Sequence, residues 1–303
     1  MLSKPQLHFL PVLSLLFAAA MWGVIWYPLR LLEEAGLGGL WATLVMYGVA
    51  SVVGLWLMRG RWCELRRHPW LLVVLMFSNA WCNVAFILAV LDGQVVRVIL
   101  LFYLSPVWSI LLGMVILGER PDRVAVMTLV LALLGATVML WEPSMGMPWP
   151  RDASEWLAIS SGMGFALANV MVRKLQDVSV PVKTAVTWFA VTLLALVWLS
   201  ISGLSLPEAS FITIGYAAML GLFGVVLMTL AVLYGVTHMP ISRSAVILLF
   251  EVVVGAVSSL LLSNEVIQAV EWFGGGLIVL AAYLSTRSHL NEQKNEIVKQ
   301  ESL

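Results

Sequence analysis

The sequence predicts an all-α integral membrane protein in which ten transmembrane helices form two inverted five-helix repeats. This fold class follows from the apolar composition, the one-sided distribution of basic residues, and the similarity of the two halves of the chain. Of the 303 residues, 61% are hydrophobic and 11% are charged, and the mean hydropathy is +0.97. Because a soluble domain has about 45–50% apolar and about 25% charged residues, the composition excludes a soluble globular protein.

Apolar segments long enough to cross a membrane account for most of the chain, since a helix needs about 20 residues to cross about 30 Å of hydrocarbon. The first of them contains a stretch similar to a signal-peptide core. Its apolar run continues to Leu29, however, so we expect a retained helix. The ten predicted spans lie near residues 10–31, 40–58, 70–91, 97–117, 124–141, 156–173, 183–202, 211–235, 244–262 and 270–286.

The basic residues lie almost entirely on one side of this predicted arrangement. If the N-terminus and every second loop share a side, that side holds 14 of the 17 lysines and arginines. Basic loops resist translocation, so the richer side is predicted to be cytoplasmic. Both termini are then cytoplasmic. Several tryptophans are predicted to form an interfacial belt, because they lie at the ends of spans: Trp62, Trp70, Trp141, Trp149, Trp156 and Trp272.

The two halves of the sequence resemble each other. LAVLDG at residues 88–93 matches LAVLYG at residues 230–235 in five of six positions. Arg97 then aligns with Arg243, and Glu119 with Glu265, both at an offset of 146. Because each unit holds five helices, an odd number, the second unit enters the membrane inverted. We predict a first unit at residues 1–141, a connecting loop at 142–155, a second unit at 156–287 and a cytoplasmic tail at 288–303.

Several classes of function are disfavoured by composition. A net charge of zero offers no basic excess for a phosphate backbone, so we expect no nucleic-acid partner. The four histidines and two cysteines lack the spacing of metal ligands, and we expect neither a metal nor another cofactor. An enzyme would need a catalytic cluster, and we identify no catalytic residues. A channel or scaffold is an alternative, although no ring of charges or filter-like segment is present.

Polar residues inside predicted spans are the candidate binding residues, because a polar group in hydrocarbon needs a partner or a wet cavity. Glu251 lies eight residues beyond Arg243, about 12 Å into the ninth span at about 1.5 Å per residue. Its carboxyl group either binds an amine or carries a proton, or it bonds a neighbouring helix and stabilises packing. The sequence leaves both interpretations open.

Three amides join this candidate set. Asn79 and Asn83 are four residues apart and therefore project from one face of the third span. Asn169 in the sixth span is their nearest counterpart in the second unit. Amides can hydrogen-bond a carboxylate, an amine or each other. They suit a zwitterionic solute or a contact between helices.

Aromatic residues could complete the same pocket. Trp22 and Trp26 are four residues apart in the first span, and Tyr103 and Trp108 flank Pro106 in the fourth. Proline removes a backbone hydrogen bond and interrupts a helix. An aromatic-lined pocket suits an amphipathic or aromatic solute, and ordinary packing is the alternative.

Two arginines occupy equivalent ends of two spans. Arg97 begins the fourth span on the outer side and Arg243 begins the ninth on the inner side. Each could act as a gate or attract an anion at a cavity mouth. Alternatively, the two side chains anchor helix ends at the membrane surface. Glu119 and Glu265 end the same two spans, and we predict that they cap the helices that follow.

The motifs of the fourth and ninth spans resemble a known family. The fourth reads ILLFYLSPVWSILLGMVILGE at residues 99–119, and the ninth reads AVILLFEVVVGAVSSLLLSNE at residues 245–265. Together with Trp22-Gly23 in the first span, they are similar to the EamA-type family of the drug/metabolite transporter superfamily over nearly the whole chain. Val252 stands where that family has a proline, and Asn264 where it has a glycine.

The resemblance implies a solute transporter whose cavity is lined mainly by spans 1, 3, 4, 6, 8 and 9. We therefore predict a secondary transporter in the inner membrane of a bacterial cell, working by alternating access. Its expected partners are the lipid bilayer and a small-molecule solute, such as an amino acid or a related amphipathic metabolite. Export is the expected direction, and a proton is a candidate coupling ion. The sequence predicts no oligomeric state.

Overall fold

The computed structural model describes residues 4–92, 95–141, 150, 152–262 and 269–301, and every regular element in these ranges is helical. Within these ranges, seven helical stretches are long and apolar enough to cross a membrane. Two further apolar helices, Ser105–Leu117 and Arg123–Val138, are shorter. The chain is therefore an all-α membrane protein, and helices lie in all ten predicted intervals.

The first half contains seven α-helices. The first interval holds α1 and α2, the fourth holds α5, α6 and a π-helical segment (Gly113–Leu117), and a short 3-10 helix (Trp62–Arg66) precedes α4. The helices are α1 (Lys4–Val24), α2 (Trp26–Glu34), α3 (Gly39–Leu57), α4 (Pro69–Asp92), α5 (Val95–Phe102), α6 (Ser105–Leu112) and α7 (Arg123–Leu140).

The described residues of the second half also form seven α-helices. The eighth interval is interrupted by a π-helical segment (Leu220–Val225), and the ninth holds α12 and α13. The helices are α8 (Ala153–Lys174), α9 (Val180–Ser202), α10 (Phe211–Met219), α11 (Val226–His238), α12 (Ile241–Leu248), α13 (Phe250–Leu262) and α14 (Ala269–Glu301). Because α14 runs past residue 287, the predicted tail is helical as far as Glu301.

Capping side chains determine where several helices begin. Asp122 accepts a hydrogen bond from the Ala125 amide at 2.7 Å, and Asp152 accepts one from the Glu155 amide at 3.0 Å. These carboxylates satisfy amides that have no partner within α7 and α8. The prediction that Glu119 caps the next helix is therefore wrong for α7, because Asp122 caps that helix.

Two spans are interrupted at equivalent positions in the two halves. In the fourth span, α5 ends at Phe102 and α6 begins at Ser105, where Pro106 prevents a continuous helix. In the ninth span, α12 ends at Leu248, which corresponds to Phe102 at the predicted offset of 146. The second interruption occurs without a proline, because Val252 stands where the family has one.

The halves pack into each other through small residues. Gly23 of α1 lies so close to α13 that an added Cβ would be 2.7 Å from the Glu251 carbonyl oxygen. Gly162 of α8 lies equally close to the Phe102 carbonyl oxygen, also at 2.7 Å. Glycine therefore allows the first helix of each half to approach the interrupted helix of the other.

Candidate functional site

The two interrupted spans contact each other. We call the region around this contact the centre of the molecule, and it comprises Tyr103, Glu251, Trp26 and Ser258. The Tyr103 hydroxyl donates a hydrogen bond to the Glu251 carboxylate at 2.5 Å, and both side chains are half-buried. Tyr103 lies in the break between α5 and α6, and Glu251 lies in the first turn of α13. The contact therefore joins the two predicted site residues that are 148 positions apart in the chain.

α1 and α2 contact α13 through a further hydrogen bond. The Trp26 indole N–H donates to the Ser258 hydroxyl at 2.8 Å, and that hydroxyl lies 3.1 Å from the Gly23 carbonyl oxygen. The indole N–H of Trp26 therefore forms a contact between helices in this conformation. Trp22 is half-buried and packs between two clusters of the apolar core. Trp26 therefore contacts the helix that carries Glu251.

The predicted amides are distributed around α4 and α8. The Asn83 side chain accepts a hydrogen bond from the Tyr47 hydroxyl at 2.8 Å and donates one to the Asn79 carbonyl at 2.9 Å. The Asn79 side chain is half-buried, and Asn169 is buried on α8. Asn83 therefore serves a helix contact in this conformation, and Tyr47 is a partner that the sequence did not predict.

Trp108 differs from the other aromatic residues of the site. Its side chain is half-buried on α6, and its indole N–H is buried with no hydrogen-bond partner among the described residues. A buried donor without a partner costs about 1–3 kcal/mol. A solute with a hydrogen-bond acceptor could remove that cost by binding here.

A second cluster joins the halves where basic residues are concentrated, and we call this the basic end of the helices (residues 59–68, 119–123, 173–183 and 237–243). Here the Glu119 carboxylate lies 3.4 Å from the Arg173 guanidinium and accepts a hydrogen bond from the Ile241 amide at 3.0 Å. Glu119 therefore caps α12, a helix of the other half. Glu265, its predicted twin, lies outside the described residues.

Lys183 is the most deeply buried charge at the basic end. Its side chain is fully buried, and its ammonium donates to the Val172 and Leu175 carbonyls at 3.1 and 3.2 Å and to the Thr237 hydroxyl at 2.9 Å. The two carbonyls belong to the last turn of α8, where a cation is favoured by the helix dipole. The Arg173 guanidinium in turn donates to the Thr237 carbonyl at 2.7 Å.

A cavity of about 320 Å³ opens at the basic end between α6 and α12. Arg243 lines it, is only 4% exposed, and lies 3.7 Å from the Asp122 carboxylate. The predicted gate residue Arg243 is therefore at a cavity mouth. The Arg97 side chain lies outside the described residues. The wall also includes Ser109, Gly113, Glu119, Arg120 and Arg173.

A third contact between the halves involves the loop before α4. The Glu64 carboxylate accepts a hydrogen bond from the Ser179 amide at 2.7 Å. His68 lies 2.9 Å from the Asp177 carboxylate. Burial raises the pKa of Glu64, but the hydrogen bond from Ser179 and the nearby arginines outweigh it, so the pKa lies below its usual value of 4.5.

From the sequence, Arg173 and Lys183 served only to indicate the cytoplasmic side of the membrane, and nothing indicated Thr237. In one respect the position of Lys183 indicates burial, because it lies three residues after the start of α9 rather than in a loop. A cation within a span needs partners. The identity of those partners depends on how the helices pack.

Comparison with known proteins agrees with this architecture. The model of the EamA-like transporter family matches twice, at residues 9–141 and 153–287. An uncharacterized transporter of Pseudomonas aeruginosa, PA0485, is 26% identical over 195 residues, which cover 61% of each chain. This chain thus spans about three fifths of that relative's length.

A solved crystal structure of a protein superposes with a TM-score of 0.73 at 17% identity, covering 92% of this chain and 98% of the other. At this level of identity the likeness concerns the fold alone. The double family match spans most of the sequence, and that family consists of transporters rather than enzymes. The chain therefore belongs to the EamA-like transporter family.

Proposed function

We propose that this protein is a secondary transporter that moves a small-molecule solute by alternating access between two inverted five-helix units. The observation that carries the proposal is the hydrogen bond between Tyr103 and Glu251, at the interruptions of two corresponding spans. Interrupted helices near the middle of the membrane often form the binding sites of secondary transporters. Transport then requires this central contact to exchange with the solute.

The proposed units are residues 1–141 and 156–287, joined by residues 142–155 and followed by the tail at 288–303. The two family matches support this division. The inverted relation is supported by the equal offset of the helix breaks and by the reciprocal packing of Gly23 and Gly162. With five helices in each unit, the basic end is the cytoplasmic face of a bacterial inner membrane, and both termini lie there.

The site suits a small amphipathic solute such as an amino acid. Glu251 would bind an amine or exchange a proton with it, and Trp108 would donate a hydrogen bond to a solute oxygen. The amides of Asn79, Asn83 and Asn169 would supply further polar contacts. Trp22 and Trp26 would enclose apolar parts of the solute. Arg97 and Arg243 would attract a carboxylate at the two mouths.

Closure at the basic end completes the mechanism. Contacts of Glu119, Arg173 and Glu64 hold the halves together on that side, next to the cavity that Arg243 lines, and we infer that they obstruct the path from the cytoplasm to the solute site. Rocking of one unit against the other would break these contacts and open the cytoplasmic path. Export then means loading through the basic end and release on the opposite side.

The test is solute counterflow in reconstituted vesicles, with a panel of labelled amino acids and the variants Glu251→Gln and Glu251→Asp. We expect saturable counterflow in the parent, a loss of at least tenfold in Glu251→Gln, and partial activity in Glu251→Asp. Glu34→Gln is the matched control, because Glu34 is exposed and remote from the centre. It is expected to behave like the parent.

Two outcomes would overturn the proposal. Glu251→Gln counterflow equal to the parent at every pH between acid and neutral would exclude a binding or proton-coupling role for Glu251. Conductance at ion-channel rates without counterflow would favour the channel alternative. Comparison of inside-out with right-side-out vesicles tests the direction of transport.

A further inference from the structure

The loop between α3 and α4 concentrates positive charge on the surface of the basic end. Four arginines lie within nine residues, at positions 59, 61, 66 and 67, and all four side chains are exposed. The single acidic residue of this stretch, Glu64, is turned toward the other half and accepts the Ser179 amide. The exposed face of the loop is therefore cationic.

The loop is held in one conformation rather than left free. Glu64 is bonded to Ser179, and the Arg67 guanidinium donates to the Asp177 carbonyl at 2.5 Å. Gly60 turns the chain with a positive φ of 77°, and Leu65 packs on the apolar core. These contacts leave the three remaining arginines on a fixed scaffold. Arg61 is close enough to Glu64 to help lower the pKa of that carboxyl group, and among the described residues no carboxylate forms an ion pair with Arg59 or Arg66.

Aromatic and apolar side chains continue from this loop along the outside of the protein. Trp62, at the start of the 3-10 helix in the loop, is 53% exposed, and Trp70, in the first turn of α4, is 79% exposed. Below them, α3 and α4 expose apolar residues at helical spacing toward the lipid: Val52, Leu55, Trp56, Val73, Val74 and Phe77. Both helices pack on α9, so the two apolar stripes lie on neighbouring elements of the same outer surface.

We propose that this surface binds one anionic phospholipid of the adjoining leaflet. Arg59, Arg61 and Arg66 would contact the phosphate, for which guanidinium groups offer paired donors. Trp62 and Trp70 would lie at the headgroup level, where indole rings are favoured. The acyl chains would cover the apolar stripes of α3 and α4. Because the loop also contacts residues 177–179 of the other half, the lipid stabilises the closed basic end.

Topology alone accounts for a basic loop on this side, but it does not require this arrangement. The retention of a loop in the cytoplasm depends on charge and not on the position of each guanidinium. The loop before α7 serves the same topological purpose with Arg120 and Arg123, which are also exposed. That loop therefore supplies a matched control.

The experiment measures retention of phosphatidylglycerol by the purified full chain in neutral detergent, using native mass spectrometry and lipid titration. The test variant is Arg59→Gln/Arg61→Gln/Arg66→Gln. The control is Arg30→Gln/Arg120→Gln/Arg123→Gln, which removes the same charge from exposed positions elsewhere. Since each arginine near a lipid surface contributes on the order of 1 kcal/mol, we expect roughly tenfold to hundredfold weaker binding in the test variant alone.

Binding is further expected to favour phosphatidylglycerol over phosphatidylcholine and to persist against excess inorganic phosphate. An equal loss of phosphatidylglycerol binding in both variants would show that only the overall charge matters and would overturn the proposal. Undiminished binding in the test variant would also overturn it. Displacement of the lipid by inorganic phosphate would show a free-anion site instead. Both variants should melt near the parent temperature without lipid, because the altered side chains lie in water.

Discussion

The centre of the molecule and its basic end join the same two halves with different chemistry. At the centre, a phenol meets a single carboxylate and an indole meets a hydroxyl, with Tyr103 bonded to Glu251 and Trp26 to Ser258. At the basic end, guanidinium, ammonium and carboxylate groups share several partners at once. A solute can compete for the central bonds one by one, whereas the contacts at the basic end must separate together.

This difference fits the separate tasks of a site and a gate. A hydrogen bond to a charged group is worth about 1.5–3 kcal/mol. The basic end holds several such contacts, whereas the centre holds one, from Tyr103 to Glu251. Stability is therefore expected to depend most on the basic end. Transport is expected to depend most on the centre. The four predictions below test this contrast, beginning with the largest effect.

Lys183→Ala should lower the free energy of unfolding by roughly 3 kcal/mol, because it leaves three buried acceptors without a donor and creates a void. Thermal unfolding in detergent measures the effect. The control is Lys174→Ala, which alters an exposed lysine at the end of α8 and should change stability by less than about 0.5 kcal/mol. Equal losses in the two variants would contradict a special role for the buried ammonium.

Tyr103→Phe should cost less stability, about 1.5 kcal/mol, because it removes one hydrogen bond to a carboxyl group. Its effect on counterflow should nevertheless exceed that of Lys183→Arg, which keeps a cation at the basic end. Tyr216→Phe is the control, since Tyr216 is 67% exposed on the lipid side. The contrast between centre and basic end fails if Tyr103→Phe transports like the parent.

Glu119→Gln should weaken closure of the basic end at a cost of about 1 kcal/mol, because its ion pair with Arg173 is partly exposed. The measurement is labelling of a cysteine at Ser109, a buried cavity residue, in a Cys63→Ser/Cys82→Ala background. A water-soluble thiol reagent should react severalfold faster in the variant. Unchanged labelling, as expected for the Glu34→Gln control, would show that Glu119 does not hold the gate.

Glu64→Gln should have the smallest effect, a few tenths of a kcal/mol, and that effect should depend on pH. The folded-state pKa of Glu64 lies below its usual value, so its carboxylate stabilises the folded protein at neutral pH. This contribution is lost as pH falls through the folded-state pKa. Melting temperatures of parent and variant should therefore differ at neutral pH and converge in acid. A difference that grows in acid would reverse the assigned sign.

The sequence indicated individual candidate residues but not which of them form hydrogen bonds with each other. Glu251 was identified because it is a polar group within an apolar span, and Tyr103 because it is an aromatic residue beside Pro106. No pattern in the sequence indicates that they touch. Arg243 was predicted at a helix end, and its position at a cavity follows from packing. Thr237 was missed because a threonine near the end of a span carries no signal. It accepts a hydrogen bond from Lys183 only because α11 lies beside α9.

The interruption at Leu249 illustrates the same limit. A proline predicts the break in the fourth span, while the ninth breaks at the corresponding position without one. Only the similarity of the two halves of the sequence predicts a break in the ninth span. Gly23 of α1 packs closely against the start of α13, just beyond this interruption.

The sequence by itself determined that the chain is an all-α membrane protein, which intervals hold helices, and the family. These depend on local quantities: about 20 apolar residues per span, and motifs read along the chain. Tertiary structure alone decided which polar groups meet, because a buried hydrogen bond joins residues on different helices according to the angle and depth at which those helices pack. Glu119 illustrates this: sequence indicated a capping carboxylate, and packing placed it on Ile241 of the opposite half.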